Sequence, residues 1–441
     1  MTTSTTAPTI TVPTITEPTA KTAKQKPQHH SIWPNRSDDP DNQPLVNGHR
    51  LSEVAAIAGQ TPFYVYDRTL IIDRVQQLRQ ALPKQIKLHY AIKANPMPSV
   101  VNLLAGLVDG LDVASHGELV TALATGTEPK EISFAGPGKG VSEIIASVAA
   151  GIVINAESMQ QISQAADAAR QLGLPARIAL RVNPAFELKS SGMKMTGGAK
   201  PFGIDSEQIG EAVALCRTNG IEPEGLHLFT GSQNLNPLAI CEAHTQVLQL
   251  AAELIESFQL MLRFINIGGG LGIAYFPGEK PLQLKSIATN LQQQLQPIKA
   301  LAPNTEIVME LGRYLVGEAG LYVCKVIDKK VSRGTTYLVA DGGLHHHLSN
   351  SGNFGQVIRK NYPVEACLVE AVQNSTTAVD LIETVTVVGP LCTPLDTVAD
   401  KVELPRCQVG DLIVVRQSGA YGLSASPQGF LSHPLPAELL L

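Results

Sequence analysis

The chain has no basic tract, no apolar run of the roughly 18 residues a membrane-spanning helix needs, and no opening signal-peptide pattern. With a formal net charge of −5, these absences argue against nucleic acid or an anionic membrane as a partner. Cysteine is sparse as well. Cys216, Cys241, Cys324, Cys367, Cys392 and Cys407 form neither a CxxC pair nor a framework spacing. That usage fits a reducing compartment, hence a cytoplasmic protein, and leaves any one thiol free for catalysis. Residues 1–47 lack hydrophobic periodicity and are rich in Thr, Pro, Lys, Gln and Asp, which reads as a disordered leader.

From Gly48 the pattern changes, and 441 residues with ample apolar content allow two domains. A short helix over 51–58 precedes an apolar strand over 62–67 and an amphipathic helix over 68–82. Short β-branched runs then alternate with helical stretches, at 86–92, 110–115, 131–136, 151–156, 177–183, 225–231, 264–270 and 306–312. Eight strands separated by helices over about 250 residues match a (β/α)8 barrel, here 67–313. A doubly wound open sheet has the same rhythm. The barrel is preferred because Lys93, His116, Asn183, Ser232, the Gly268 cluster, Glu310 and Arg313 all fall at or just past strand C-termini, where barrel enzymes build their sites. Beyond Val316 helical patterns largely stop. Segments 314–441, joined by 48–66, read as a β domain.

Lys93 ends the first barrel strand in Tyr90-Ala91-Ile92-Lys93-Ala94-Asn95. A lysine so placed is a Schiff-base candidate, because desolvation lowers its pKa and frees the amine as a nucleophile; an ordinary surface lysine is the alternative. Gly268-Gly269-Gly270 follows the seventh strand, where unhindered backbone N–H groups can close around a phosphate. The eighth strand ends in Glu310-Leu311-Gly312-Arg313. A carboxylate beside the ring nitrogen of pyridoxal 5'-phosphate keeps that nitrogen protonated, and Arg313 could reach the phosphate.

These blocks resemble the fold-type III, pyridoxal-phosphate-dependent decarboxylases of diaminopimelate, ornithine and arginine. Further ordered blocks extend the likeness: Phe63-Tyr64-Val65-Tyr66-Asp67, Asp112-Val113-Ala114-Ser115-His116-Gly117-Glu118, Arg181-Val182-Asn183-Pro184, Gly231-Ser232-Gln233, Gly389-Pro390-Leu391-Cys392 and Gly419-Ala420-Tyr421-Gly422. The resemblance implies an alanine racemase-like barrel with a C-terminal β domain. It implies that Lys93 carries the cofactor, that Glu310 pairs with its ring nitrogen, and that Ser232, Gly268, Gly269, Gly270, Arg313 and Tyr421 hold its phosphate. It also implies a head-to-tail homodimer in which Cys392 of one subunit protonates substrate in the other. An acid rather than the arginine of alanine racemases at the eighth strand favours decarboxylation over racemisation.

Three departures bear on substrate. Phe229 stands where the family stacks a histidine on the ring, so stacking survives without a hydrogen bond or charge. His227 shares its strand face and reads as a core residue, with a partial substitute for that histidine as the alternative. After Cys392 the family's acid for a distal ammonium is replaced by Thr393-Pro394-Leu395-Asp396, with Asp396 able to compensate only if the loop turns back. Third, Leu344-His345-His346-His347 replaces the expected substrate motif. Consecutive side chains do not converge, which argues against a metal, and His345 could contact a carboxylate or phosphate at the entrance. The pattern is similar to specialised-pathway branches that act on carrier-linked aminoacyl groups, exosortase-associated substrates or siderophore intermediates. The alternatives are a diaminopimelate decarboxylase of lysine biosynthesis and a non-catalytic homeostasis protein that binds the same cofactor.

Overall fold

The computed structural model describes residues 30–33, 44–186, 193–194, 198–354, 356, 359–369 and 382–441. Helix α1 (Leu51–Ala58) and strand β1 (Phe63–Tyr66) lead into the barrel. Its strands are β2 (Ile86–Ala91), β3 (Gly110–Val113), β4 (Ile132–Phe134), β5 (Val153–Ala156), β6 (Arg177–Asn183), β7 (Gly225–His227), β8 (Phe264–Asn266) and β9 (Glu306–Leu311). They pair in parallel in the order β5-β4-β3-β2-β9-β8-β7-β6, and β5 closes on β6. This closed sheet settles the choice between barrel and open sheet.

Polar side chains at strand ends start several helices. After β1, Asp67 accepts from Thr69 N (2.8 Å) and Leu70 N (3.2 Å) to cap α2 (Arg68–Ala81). After β3 and β5, Ser115 and Ser158 cap α3 (His116–Ala124) and α4 (Met159–Leu172) in the same way. Each cap satisfies a backbone N–H that the helix itself cannot. The helices bury apolar stripes such as Ile71, Val75 and Leu78 against the outside of the barrel.

The barrel interior is not purely aliphatic. His89 Nδ1 lies 3.2 Å from Asp112 Oδ1, Ser133 donates to that same oxygen (2.7 Å), and Asn155 donates to Ser133 (3.0 Å). These four residues come from four consecutive strands.

The β domain contains β10 (Gly320–Ser332), β11 (Thr335–Ala340), β12 (Val364–Cys367), β13 (Ile382–Val388), β14 (Thr397–Pro405), β15 (Leu412–Val415) and β16 (Ala437–Leu440). The sheet runs β12-β15-β10-β11-β13-β14, and β1 inserts between β10 and β16, antiparallel to the first and parallel to the second. Strands β14 and β16 were not anticipated.

The leader expected over 1–47 is interrupted by packed residues. Trp33 is 6% exposed and Val46 fully buried, both in a cluster with Leu51, Phe63, Leu321 and Val414. An indole buries a large apolar area and finds a partner for its N–H here, which outweighs the ordering of a few polar neighbours. Residues 1–29 and 34–43 of the expected leader lie outside the described residues.

Candidate active site

Strand β2 runs straight into a 3₁₀ turn, Ile92–Ala94, that presents Lys93 at the barrel mouth. The turn is fixed from behind: Tyr90 Oη donates to Asn95 O (2.9 Å), and Tyr421 N donates to Ala94 O (2.8 Å). Tyr421 holds φ at +52°, a costly left-handed conformation for a tyrosine, and joins the β domain to the lysine turn.

Lys93 and Glu310 border two contiguous spaces. One, of about 360 Å³, is lined by Asp112, Lys139, Arg181 and Phe202 among others. The other, of about 40 Å³, is lined by Phe229, Ser232, Gly270, Arg313 and Tyr421. Lys93 Nζ stands 5.6 Å from the centre of the Phe229 ring.

Glu310 is 8% exposed. Its Oε2 lies 3.0 Å from His227 Nε2 and accepts from Asn266 Nδ2 at 3.1 Å. Burial pushes the carboxyl up, but His227, Lys93 and Arg181 outweigh it and bring it down to about 2. Asn266 also accepts from Gly268 N (2.8 Å), so one amide links Glu310 to the glycine loop.

The loop is shaped by its glycines. A Cβ at Gly269 would sit 1.9 Å from Glu310 O, and Gly270 holds φ at +80°. Of the three glycines only Gly270 lines the small space; Gly268 spends its N–H on Asn266, and Gly269 meets the buried His244. Arg313 donates to Tyr275 Oη (2.7 Å) and lies 4.6 Å over the Tyr421 ring. Its Nε has no partner, and no carboxylate pairs with it among the described residues. A half-buried guanidinium with spare donors, facing Ser232 and the Gly270 backbone, fits the phosphate of pyridoxal phosphate. Phe229 offers the ring a stacking face, and the ionised Glu310 suits a protonated ring nitrogen.

Other expected residues lie elsewhere. Cys392 is exposed on the turn between β13 and β14, and neither it nor Thr393 lines the cavity of its own chain. Asp396 is 2% exposed and turned into the fold, accepting from Leu344 N (2.6 Å) and Leu391 N (2.8 Å). It packs beneath Gly343 and Gly389, where a Cβ on either would strike its carboxylate. His345 is fully buried, its ring tilted against His346 at 3.7 Å and His433 at 4.9 Å between centres, so it does not stand at an entrance. Among the described residues no group of His, Cys, Asp and Glu is arranged to hold a metal. His227 is buried as a core residue would be, at 1% exposure, and there it also meets Glu310. Asn266, Arg181 and Tyr275 were missed.

A barrel with a strand-end lysine, a buried acid beside it and an arginine facing the glycine loop defines a pyridoxal-phosphate enzyme of the alanine racemase-like fold. The chain belongs to the pyridoxal-dependent decarboxylases, whose pyridoxal-binding domain matches residues 68–317. It is a carboxy-lyase by that membership. It is 36% identical over 384 residues to the L-glutamyl-[BtrI acyl-carrier protein] decarboxylase of Niallia circulans, covering 86% of this chain and 89% of that one. It is 33% identical to the diaminopimelate decarboxylase of Campylobacter jejuni, covering 83% and 87%. The solved diaminopimelate decarboxylase of Helicobacter pylori in complex with L-lysine superposes with a TM-score of 0.77 at 29% identity, over 88% of this chain and 94% of that one. No helix among the described residues is long and apolar enough to cross a membrane.

Proposed function

We propose that this chain removes the α-carboxylate of an amino-acid conjugate whose distal end is not a free ammonium, with a carrier-protein-linked aminoacyl group as the favoured substrate. The observation that carries the reading is the orientation of Asp396. It is the one acid in the turn 393–396 after Cys392, and its oxygens are taken by the backbone N–H groups of Leu344 and Leu391. The loop therefore offers no carboxylate to a distal ammonium, a charge-assisted contact of about 1.5–3 kcal/mol. The similarity to a decarboxylase of a carrier-linked glutamyl group supports the same substrate class.

In this reading Lys93 holds the cofactor covalently, and Glu310 faces its ring nitrogen. Ser232, Gly270, Arg313 and Tyr421 hold its phosphate, with Gly268 and Gly269 shaping the loop. When bound, the cofactor takes up the electron pair left at Cα as carbon dioxide departs. Cys392 is exposed and outside its own chain's cavity, which supports a homodimer in which each Cys392 delivers a proton to Cα in the partner's site.

The test is carbon dioxide release by cofactor-loaded protein, comparing meso-diaminopimelate, ornithine, lysine and arginine with carrier-linked glutamyl and other carboxylate-bearing conjugates. Release confined to the conjugates supports the proposal. Rapid release from a free diamino acid overturns it and makes this a conventional diamino-acid decarboxylase.

A further inference from the structure

The stretch ahead of Gly48 holds the chain's one tryptophan, and the reaction gives it no role. Trp33 is nevertheless seated in the β domain, its indole N–H donating to Glu318 O at 2.9 Å. The Glu318 side chain is gripped from two sides, by Arg74 Nη2 at 2.5 Å and by His30 Nε2 at 3.5 Å. Glu318 lies on the 3₁₀ turn Gly317–Ala319, which continues the short helix Arg313–Val316. The first link from residues 30–33 thus reaches the element that starts with Arg313.

A second link reaches Arg313 from the other side. The Gln417 amide donates to His30 O (3.1 Å) and to Ala274 O (2.9 Å). Ala274 precedes Tyr275, whose hydroxyl receives the Arg313 hydrogen bond. Ser31 adds a hydrogen bond to Arg416, beside Gln417. Gln417 is 3% exposed and holds φ at +52°, so the fold keeps an unfavourable backbone conformation while aiming that amide at two carbonyls.

We infer that residues 30–33 form a clasp that positions Arg313 for the cofactor's phosphate, with Trp33 and Gln417 as positioning residues. The inference rests on the reading of Arg313 as a phosphate ligand. A guanidinium on a long side chain loses much rotamer freedom when it is held in one geometry. The clasp fixes both the helix that carries it and the tyrosine that orients it, so the ordering is complete before the phosphate arrives.

Two full-length variants test this. Trp33→Phe keeps an aromatic ring in the pocket and removes the donor; Gln417→Met keeps the length and removes both donors. Each is compared with the unaltered chain and the double variant for affinity toward pyridoxal phosphate and toward pyridoxal. Absorbance of the lysine-bound cofactor follows binding, and melting of the cofactor-free protein is recorded alongside. Each single variant is expected to weaken pyridoxal phosphate on the order of three- to tenfold and to leave pyridoxal unchanged. The double variant is expected to fall short of the product of the two, because both links act on one group. Trp33 emission is expected to shift to the red in Gln417→Met, as its seat loosens.

Unchanged affinity for pyridoxal phosphate, even with a lowered melting temperature, overturns the clasp. So does an equal loss for pyridoxal, an unshifted Trp33 emission, or strict multiplicativity. Arg313→Gln examines the underlying reading separately: if it fails to weaken pyridoxal phosphate relative to pyridoxal, Arg313 is not the phosphate ligand, whatever the clasp variants do.

Discussion

His227 Nε2 and Glu310 Oε2 meet at 3.0 Å across the barrel interior, and the strand between them adds Asn266 to the same carboxylate. The carboxyl is thereby held ionised with no cofactor needed, as the role proposed for it requires. The imidazole ends the strand two residues before Phe229, so the contact to Glu310 and the stacking face come from two residues of one segment.

Removing that imidazole should shift the acid side of the activity profile. In His227→Leu the burial of Glu310 is less opposed, so its carboxyl rises from about 2 and is protonated at higher pH. The acid limb of kcat against pH should move upward, with little change on the alkaline side. A profile superimposable on that of the unaltered chain would remove His227 from the site.

Phe229→Ala should weaken the cofactor through lost ring contact. Offset aromatic contact is worth about 0.5–1.5 kcal/mol, or roughly two- to tenfold in affinity. Equilibrium titration with pyridoxal phosphate reads this directly.

Asp396→Ala should behave as a folding lesion. It strips the acceptor from the Leu344 and Leu391 N–H groups, which are buried, at a cost of about 1–3 kcal/mol each. A drop in melting temperature is expected, with unchanged relative rates on acidic and basic substrates. An intact melting curve together with altered substrate preference would return Asp396 to the substrate pocket.

Burial brings His345 and His347 down to about 3 and His244 and His346 to about 4, aided at His345 and His346 by neighbouring imidazoles. Unfolded, each takes its proton near pH 6.5, so the unfolded chain binds more protons as pH falls. Stability from these four groups is complete above pH 6.5 and is lost as pH falls toward 3–4. The buried carboxyls Asp341, Asp396 and Glu438 are pushed up by burial and act in the opposite sense, from the ordinary carboxylate range upward. Denaturant melts between pH 7 and 5 should therefore show the histidine slope most clearly; a flat response would contradict it.

The proposed sharing of sites between subunits predicts rescue in trans. Lys93→Ala and Cys392→Ser chains, each nearly inactive alone, should regain about a quarter of full activity when mixed and reassembled, since half the dimers would hold one intact site. No recovery after verified exchange would place Cys392 outside the partner's site.

The barrel was legible because each strand is a short apolar run followed by a turn, and several helices open on a polar cap such as Asp67, Ser115 or Ser158. Strand β14 was hidden by Asp400, Lys401 and Glu403, which break its apolar alternation. Trp33 was hidden differently: a lone aromatic among polar residues has no period to detect. The His227–Glu310 pair depends on which strands end up two apart around a closed sheet. Period two gave its face, but only closure gave its partner.

Strand β1 sits between β10 and β16, so the β domain is completed by segments from opposite reaches of the chain. During synthesis Phe63–Tyr66 leaves the ribosome long before either neighbour exists. Both its edges stay unpaired while the whole barrel is made, and such edges invite pairing with other chains. Chains arrested before Ala437 should consequently depend on chaperones far more than finished ones. The late pairing of β1 would then be the step that commits a newly made protein to its closed, cofactor-ready form.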